Sequence, residues 1–66
     1  MVLGSVESFD EMRGFGTVRT DDGRVLFFHC TTIADGSRTI SSGARVAVRV
    51  VPGHGGRWEA ADVQPV

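Results

Sequence analysis

Arg13–Cys30 reads RGFGTVRTDDGRVLFFHC. Its middle, Asp22-Gly23, is a strong short hairpin signal, because a tight turn needs a residue that accepts positive φ. On the far side, Val25–His29 is β-branched and aromatic, a composition that fits a pleated, half-buried strand. The near side, Gly14–Arg19, is then the partner strand. Alternation along the pair sends Val18, Leu26 and Phe28 to one face and Phe15, Thr17, Arg19, Phe27 and His29 to the other. This hairpin sets the fold, and the rest of the chain extends it.

Arg45–Val51 alternates again, with Val46, Val48 and Val50 on one side and Ala47 and Arg49 on the other. Pro52 and the glycine-rich stretch after it end that strand. Val6–Phe9 reads as a further strand. If Val6 and Phe9 both face inward, their spacing of three demands a bulge or a strong twist. Trp58–Gln64 is the last candidate, although Glu59-Ala-Ala-Asp62 has poor strand propensity. Cys30–Gly43 is the longest irregular segment. Five short strands without a helical period imply an all-β chain closed into a barrel, which removes exposed edges. The expected core is Val6, Phe9, Val18, Leu26, Phe28, Ile33, Val46, Val48, Val50 and Val63.

Sixty-six residues make one small domain, residues 1–66. A single cysteine excludes an internal disulfide, and two histidines with one cysteine have no usable zinc spacing. No stretch approaches the ~20 apolar residues of a membrane span, and the N-terminal segment lacks the basic start of a signal peptide. A cytoplasmic protein is expected, with no membrane partner, no small-molecule substrate, no metal and no cofactor. His29 and Cys30 adjoin, but strand neighbours point to opposite faces and meet only where the strand ends. No orienting group accompanies them, so an enzyme is not expected and no catalytic residue is assigned.

All seven basic residues are arginine, against eight acids, for a formal charge of −1. Phosphate binding rests on clustered positive charge, so the arginines must gather on one face to serve it. The outward Phe15, Phe27 and His29, with Arg13 at the edge and Gly14 and Gly16 leaving Phe15 uncrowded, suit single-stranded RNA or DNA. Every base offers a flat π-face to such rings. The competing reading is that the loop after Cys30 covers these rings. Trp58, beside Arg57, either supplies a further stacking ring or caps the barrel end.

The chain resembles a bacterial cold-shock domain over essentially its whole length. Gly4–Val18 is similar to the family's opening, with Arg13-Gly-Phe-Gly16 at the first ribonucleoprotein motif and Leu26–Cys30 at the second. Thr31–Val51 and Ala60–Val63 follow the family pattern in order and spacing. The resemblance implies a five-stranded antiparallel OB-type barrel that binds single-stranded nucleic acid through an aromatic and basic face. It places Arg13, Phe15, Phe27 and His29 on that face. It also shows departures, because the family carries tryptophan where Ser8 stands, lysine at Glu7, phenylalanine at Thr17 and Cys30, and commonly another near Ser37. Base–aromatic stacking is worth ~1–3 kcal/mol per base, so losing two rings weakens binding roughly thirty-fold to ten-thousand-fold. Two readings follow: a weak binder of single strands with little sequence preference, using Arg13, Phe15, Phe27, His29, Arg57 and Trp58; or a barrel turned to protein contact, such as a homodimer.

Overall fold

The structure, a computed structural model, describes residues 1–66, except for the side chain of His54. Strands β1 (Val2–Asp10), β2 (Phe15–Thr20), β3 (Val25–His29), β4 (Arg45–Pro52) and β5 (Trp58–Pro65) close in the order β1-β2-β3-β5-β4. One-turn 3₁₀ segments sit at Cys30–Thr32 and His54–Gly56. Among the described residues, no helix is long and apolar enough to cross a membrane.

The hairpin forms as its sequence requires. The Gly23 amide donates to the Thr20 carbonyl, and the Thr20 amide donates to the Arg24 carbonyl. Asp22 locks the turn from inside, accepting from the Thr20 hydroxyl and from the Arg24 guanidinium. Thr20 is buried, and its hydroxyl also accepts the Arg24 amide, so the burial leaves no polar atom unmatched.

β1 is longer than the sequence suggested. It starts at Val2 and pairs with β4 over Val2–Ser5 and with β2 over Gly4–Asp10. The irregularity implied by the Val6–Phe9 spacing is present: the β1–β2 register shifts between Val6 and Ser8, leaving Glu7 as the extra residue. The bulge lets Val6 enter the core while Phe9 lies half-buried and stacked on Phe28, with centroids 5.8 Å apart. At Gly16 the missing side chain is what allows β1 to approach, because a Cβ there would collide with the Ser8 carbonyl. Its role is interior packing, rather than clearing space around Phe15.

Eight of the ten expected core residues are buried, namely Val6, Val18, Leu26, Phe28, Ile33, Val46, Val48 and Val63. Phe9 and Val50 are half-buried against them. Ala60 joins the core at 2% exposure, despite its poor strand propensity, because its pairing opposite Val50 on β4 holds it in the barrel wall. The barrel is antiparallel except where β3 meets β5, a parallel contact with one register pair, Phe27 opposite Glu59. An isolated parallel bridge, Ile33 to Val63, closes the wall beside it.

Candidate nucleic-acid interface

The outer faces of β2, β3 and β5 build an open cleft of about 260 Å³ lined by Phe15, Phe27, Phe28, His29, Arg57 and Glu59. Phe15 and His29 are direct cross-strand partners, and Phe27 stands two residues further back on the outer face of β3. The two rings are 41% and 37% exposed, so the loop after Cys30 does not cover them. That loop is held elsewhere: the Thr39 hydroxyl donates to the Glu11 carboxylate at 3.1 Å, tying it to the β1–β2 turn.

Barrel closure brings Arg57 to this face. Its guanidinium carbon lies 4.6 Å from the Phe27 ring centroid, a cation–π contact that keeps a cation over the aromatic surface. Arg57 was expected among the binding residues, beside Trp58. Its place on Phe27 had no signal in the chain, since thirty residues separate the two and only the β3–β5 contact joins them.

His29 ends β3. Its Nδ1 accepts the Thr31 amide at 3.3 Å, which puts the proton of the neutral ring on Nε2. Because the strand ends here, Cys30 Sγ comes within 3.9 Å of His29 Nδ1. The cysteine is half-buried and packs against the core, as a small apolar filler does. Gly14, with φ of +74°, makes the turn into β2 and accepts the Cys30 amide at its carbonyl.

The other sequence-selected residues lie further out. Arg13 is on the β1–β2 turn, outside the cleft lining, with its Nε 3.9 Å from Asp10 Oδ2. Trp58 is 54% exposed and so does not cap the core. It lines a second cleft that adjoins the first, with Arg24, Val25, Leu26, Phe27, Gly56 and Arg57. Glu59, which alternation alone did not select, stands opposite Phe27 on β5.

The β1 side of the same sheet is built differently. Ser8 and Thr17 are cross-strand partners, and their hydroxyls are 2.9 Å apart in a hydrogen bond. Glu7, in the bulge, takes Arg19 through both Nε (2.8 Å) and Nη2 (2.7 Å). The sheet face is therefore divided, hydroxylic and ion-paired toward β1, aromatic toward β3 and β5.

The 'Cold-shock' DNA-binding domain family matches residues 2–66. The chain belongs to the cold-shock domain family. It is 35% identical over 57 residues to the Major cold shock protein of Streptococcus pyogenes, covering 85% of each chain. It is 39% identical over 62 residues to Glycine-rich protein 2 of Nicotiana sylvestris, where the match covers 91% of this chain but only 29% of the relative. A solved structure of drosophila Unr superposes with a TM-score of 0.80 at 30% identity, over 98% of this chain and 26% of that one. Against the family pattern, the tryptophan and phenylalanine replaced by Ser8 and Thr17 are one cross-strand pair, and Glu7 has gained Arg19 as its partner. Glu7, Ser8 and Thr17 thus depart together on the β1 side of the face, while Cys30 departs at the end of β3.

Proposed function

We propose that this cold-shock domain binds single-stranded RNA or DNA on the β2–β3–β5 half of its sheet, weakly and with little sequence preference. The observation that carries this reading is the pair of exposed rings, Phe15 and Phe27, with Arg57 held over the second. Stacking accepts any base, and water-exposed rings lose little on being covered. His29 contributes its ring and the Nε2 proton at the edge of the patch. Trp58 extends the stacking surface into the second cleft, and Arg13 meets phosphate at the rim when it leaves Asp10. Holding open strands in this way melts weak RNA structure by mass action.

The test is a titration of a labelled thymine-rich single strand at low and moderate salt, with Phe27→Ala beside the parent. Trp58, the only tryptophan, provides a second signal through its fluorescence. Saturable binding that weakens with salt and again on loss of Phe27 is the expected outcome. Absence of binding at ~100 μM in low salt, the weak end of non-specific affinities, would overturn the reading.

One observation favours the protein-contact alternative. Among the described residues, Arg13, Arg19, Arg24, Arg45 and Arg49 are each paired with a carboxylate, so little free positive charge faces outward. A homodimer through the aromatic half would show in sedimentation as a concentration-dependent mass, abolished by Phe27→Ala.

A further inference from the structure

Glu59 is an anomaly on a face meant for polyanions. It lies in the wall of the aromatic cleft, half-buried, directly across the parallel register from Phe27. Its side chain folds over Gly53, where any Cβ would overlap it, so the absence of a side chain at 53 makes its position possible. The Gly53 amide is already used by the Arg57 carbonyl. Arg57, two residues away in the chain and in the same cleft, is committed to the Phe27 ring rather than to Glu59. Among the described residues no ion pair within 4.0 Å joins the two. The cleft thus presents an acceptor-only carboxylate beside two aromatic rings, and among the described residues no donor claims its oxygens.

We propose that Glu59 reads the base in this cleft and selects guanine. The inference rests on the single-strand reading above and limits the low sequence preference at one position of the bound strand. The chemistry is a matching of edges. A carboxylate offers two acceptors side by side and no donor. Guanine alone among the bases presents two adjacent donors on its Watson–Crick edge, the ring N1–H and the exocyclic amine. Two parallel hydrogen bonds to one ionised group are the strong arrangement, as in an arginine–carboxylate pair. Thymine and uracil place a single N–H between two carbonyls, both of which the carboxylate repels. Adenine and cytosine set one amino group beside a bare ring nitrogen, so each satisfies one oxygen and opposes the other. Phe15 and Phe27 supply the stacking surface for the base, Phe27 once Arg57 moves off its ring, and Glu59 takes the edge. The same carboxylate disfavours phosphate, which keeps the backbone out of the cleft and turns the base inward.

The experiment uses short labelled thymine strands carrying one central guanine, adenine, cytosine or hypoxanthine, and the all-thymine strand, titrated at low salt. Both the parent protein and Glu59→Gln are measured, and thermal unfolding confirms that the variant folds. The guanine strand is expected to bind about fivefold tighter or more, the low end of what a bidentate base contact discriminates. Hypoxanthine, which lacks the exocyclic amine, loses most of that gain. Glu59→Gln removes the preference while still binding the all-thymine strand, because glutamine replaces one acceptor by a donor. Equal binding of all strands, with Glu59→Gln tightening every one alike, would show that Glu59 only repels phosphate and would overturn the proposal. Failure of every strand to bind would instead bring down the single-strand reading itself, and this inference with it.

Discussion

Ser8 and Thr17 decide how much of the family's surface remains usable. They face each other across β1 and β2, and their hydroxyls hydrogen-bond at 2.9 Å, so neither presents a flat apolar ring to a base. Both are accessible from outside, and neither supports the core. Restoring the family's rings here should therefore change binding far more than stability. The double variant Ser8→Trp/Thr17→Phe is expected to bind a thymine-rich strand roughly thirty-fold tighter or more, as two stacking contacts of ~1–3 kcal/mol require. Its melting temperature should stay within a few degrees of the parent, since one exposed hydrogen bond is the principal loss. A folded double variant with unchanged affinity would show that bound strands run only along the β2–β3–β5 half. The residues that form that half were legible to different degrees. Phe15, Phe27 and His29 follow from alternation about one turn. Glu59 does not, because its place opposite Phe27 comes from a parallel contact with a single register pair, which local sequence does not encode.

The elements were legible where their signals are local. Asp22-Gly23 marked the β2–β3 hairpin, and the Val6–Phe9 spacing marked the bulge that the register shift at Glu7 displays. The first half of β1 was not legible, because Val2–Ser5 is held by β4, forty or more residues away in the chain. Ala60 was missed for a related reason, since an intrinsically weak strand former is kept in place by its pairing with Val50 on β4. The hairpin turn also carries a pH dependence. Hydrogen bonds from Arg45 hold the Asp21 carboxyl below its ordinary value, and those from Thr20 and then Arg24 do the same for Asp22. Carboxyls depressed in the folded state bind protons less readily there than in the unfolded chain. Their contribution is therefore complete above the ordinary aspartate range, near pH ~4, and is lost as pH falls through the lower folded values. Thermal unfolding followed from neutral to acid pH should show a plateau and then a decline below pH ~4. In Asp21→Asn/Asp22→Asn the plateau should drop and the acid decline flatten. An acid limb of unchanged steepness in that variant would place the sensitivity elsewhere.

For the molecule as a whole, charge is settled locally before any ligand arrives. Among the described residues, the pairs Arg13–Asp10, Arg19–Glu7, Arg24–Asp22, Arg45–Asp21 and Arg49–Asp62 use five of the seven arginines. That leaves Arg38 and Arg57 outside the pairs against Glu11, Asp35 and Glu59, which reproduces the net charge of −1. Only Arg57 of these two lies in the aromatic cleft. Binding driven by this surface must then be mostly stacking, with few counterions released. For single strands, the logarithm of the affinity falls with the logarithm of salt at a slope of about −0.7 for each phosphate neutralised. With Arg57, and at most Arg13 released from Asp10, the slope should lie between about −0.7 and −1.4. Raising salt from ~50 to ~200 mM should weaken binding only about three- to sevenfold. A fall of a hundredfold or more over that range would mean that the ion pairs open onto the phosphate backbone. In that case, Glu7→Gln, which frees Arg19, should leave the slope unchanged, because Arg19 would already be engaged. If the shallow slope holds, the same variant should steepen it by up to about 0.7, since it adds a cation on the β1 side of the sheet.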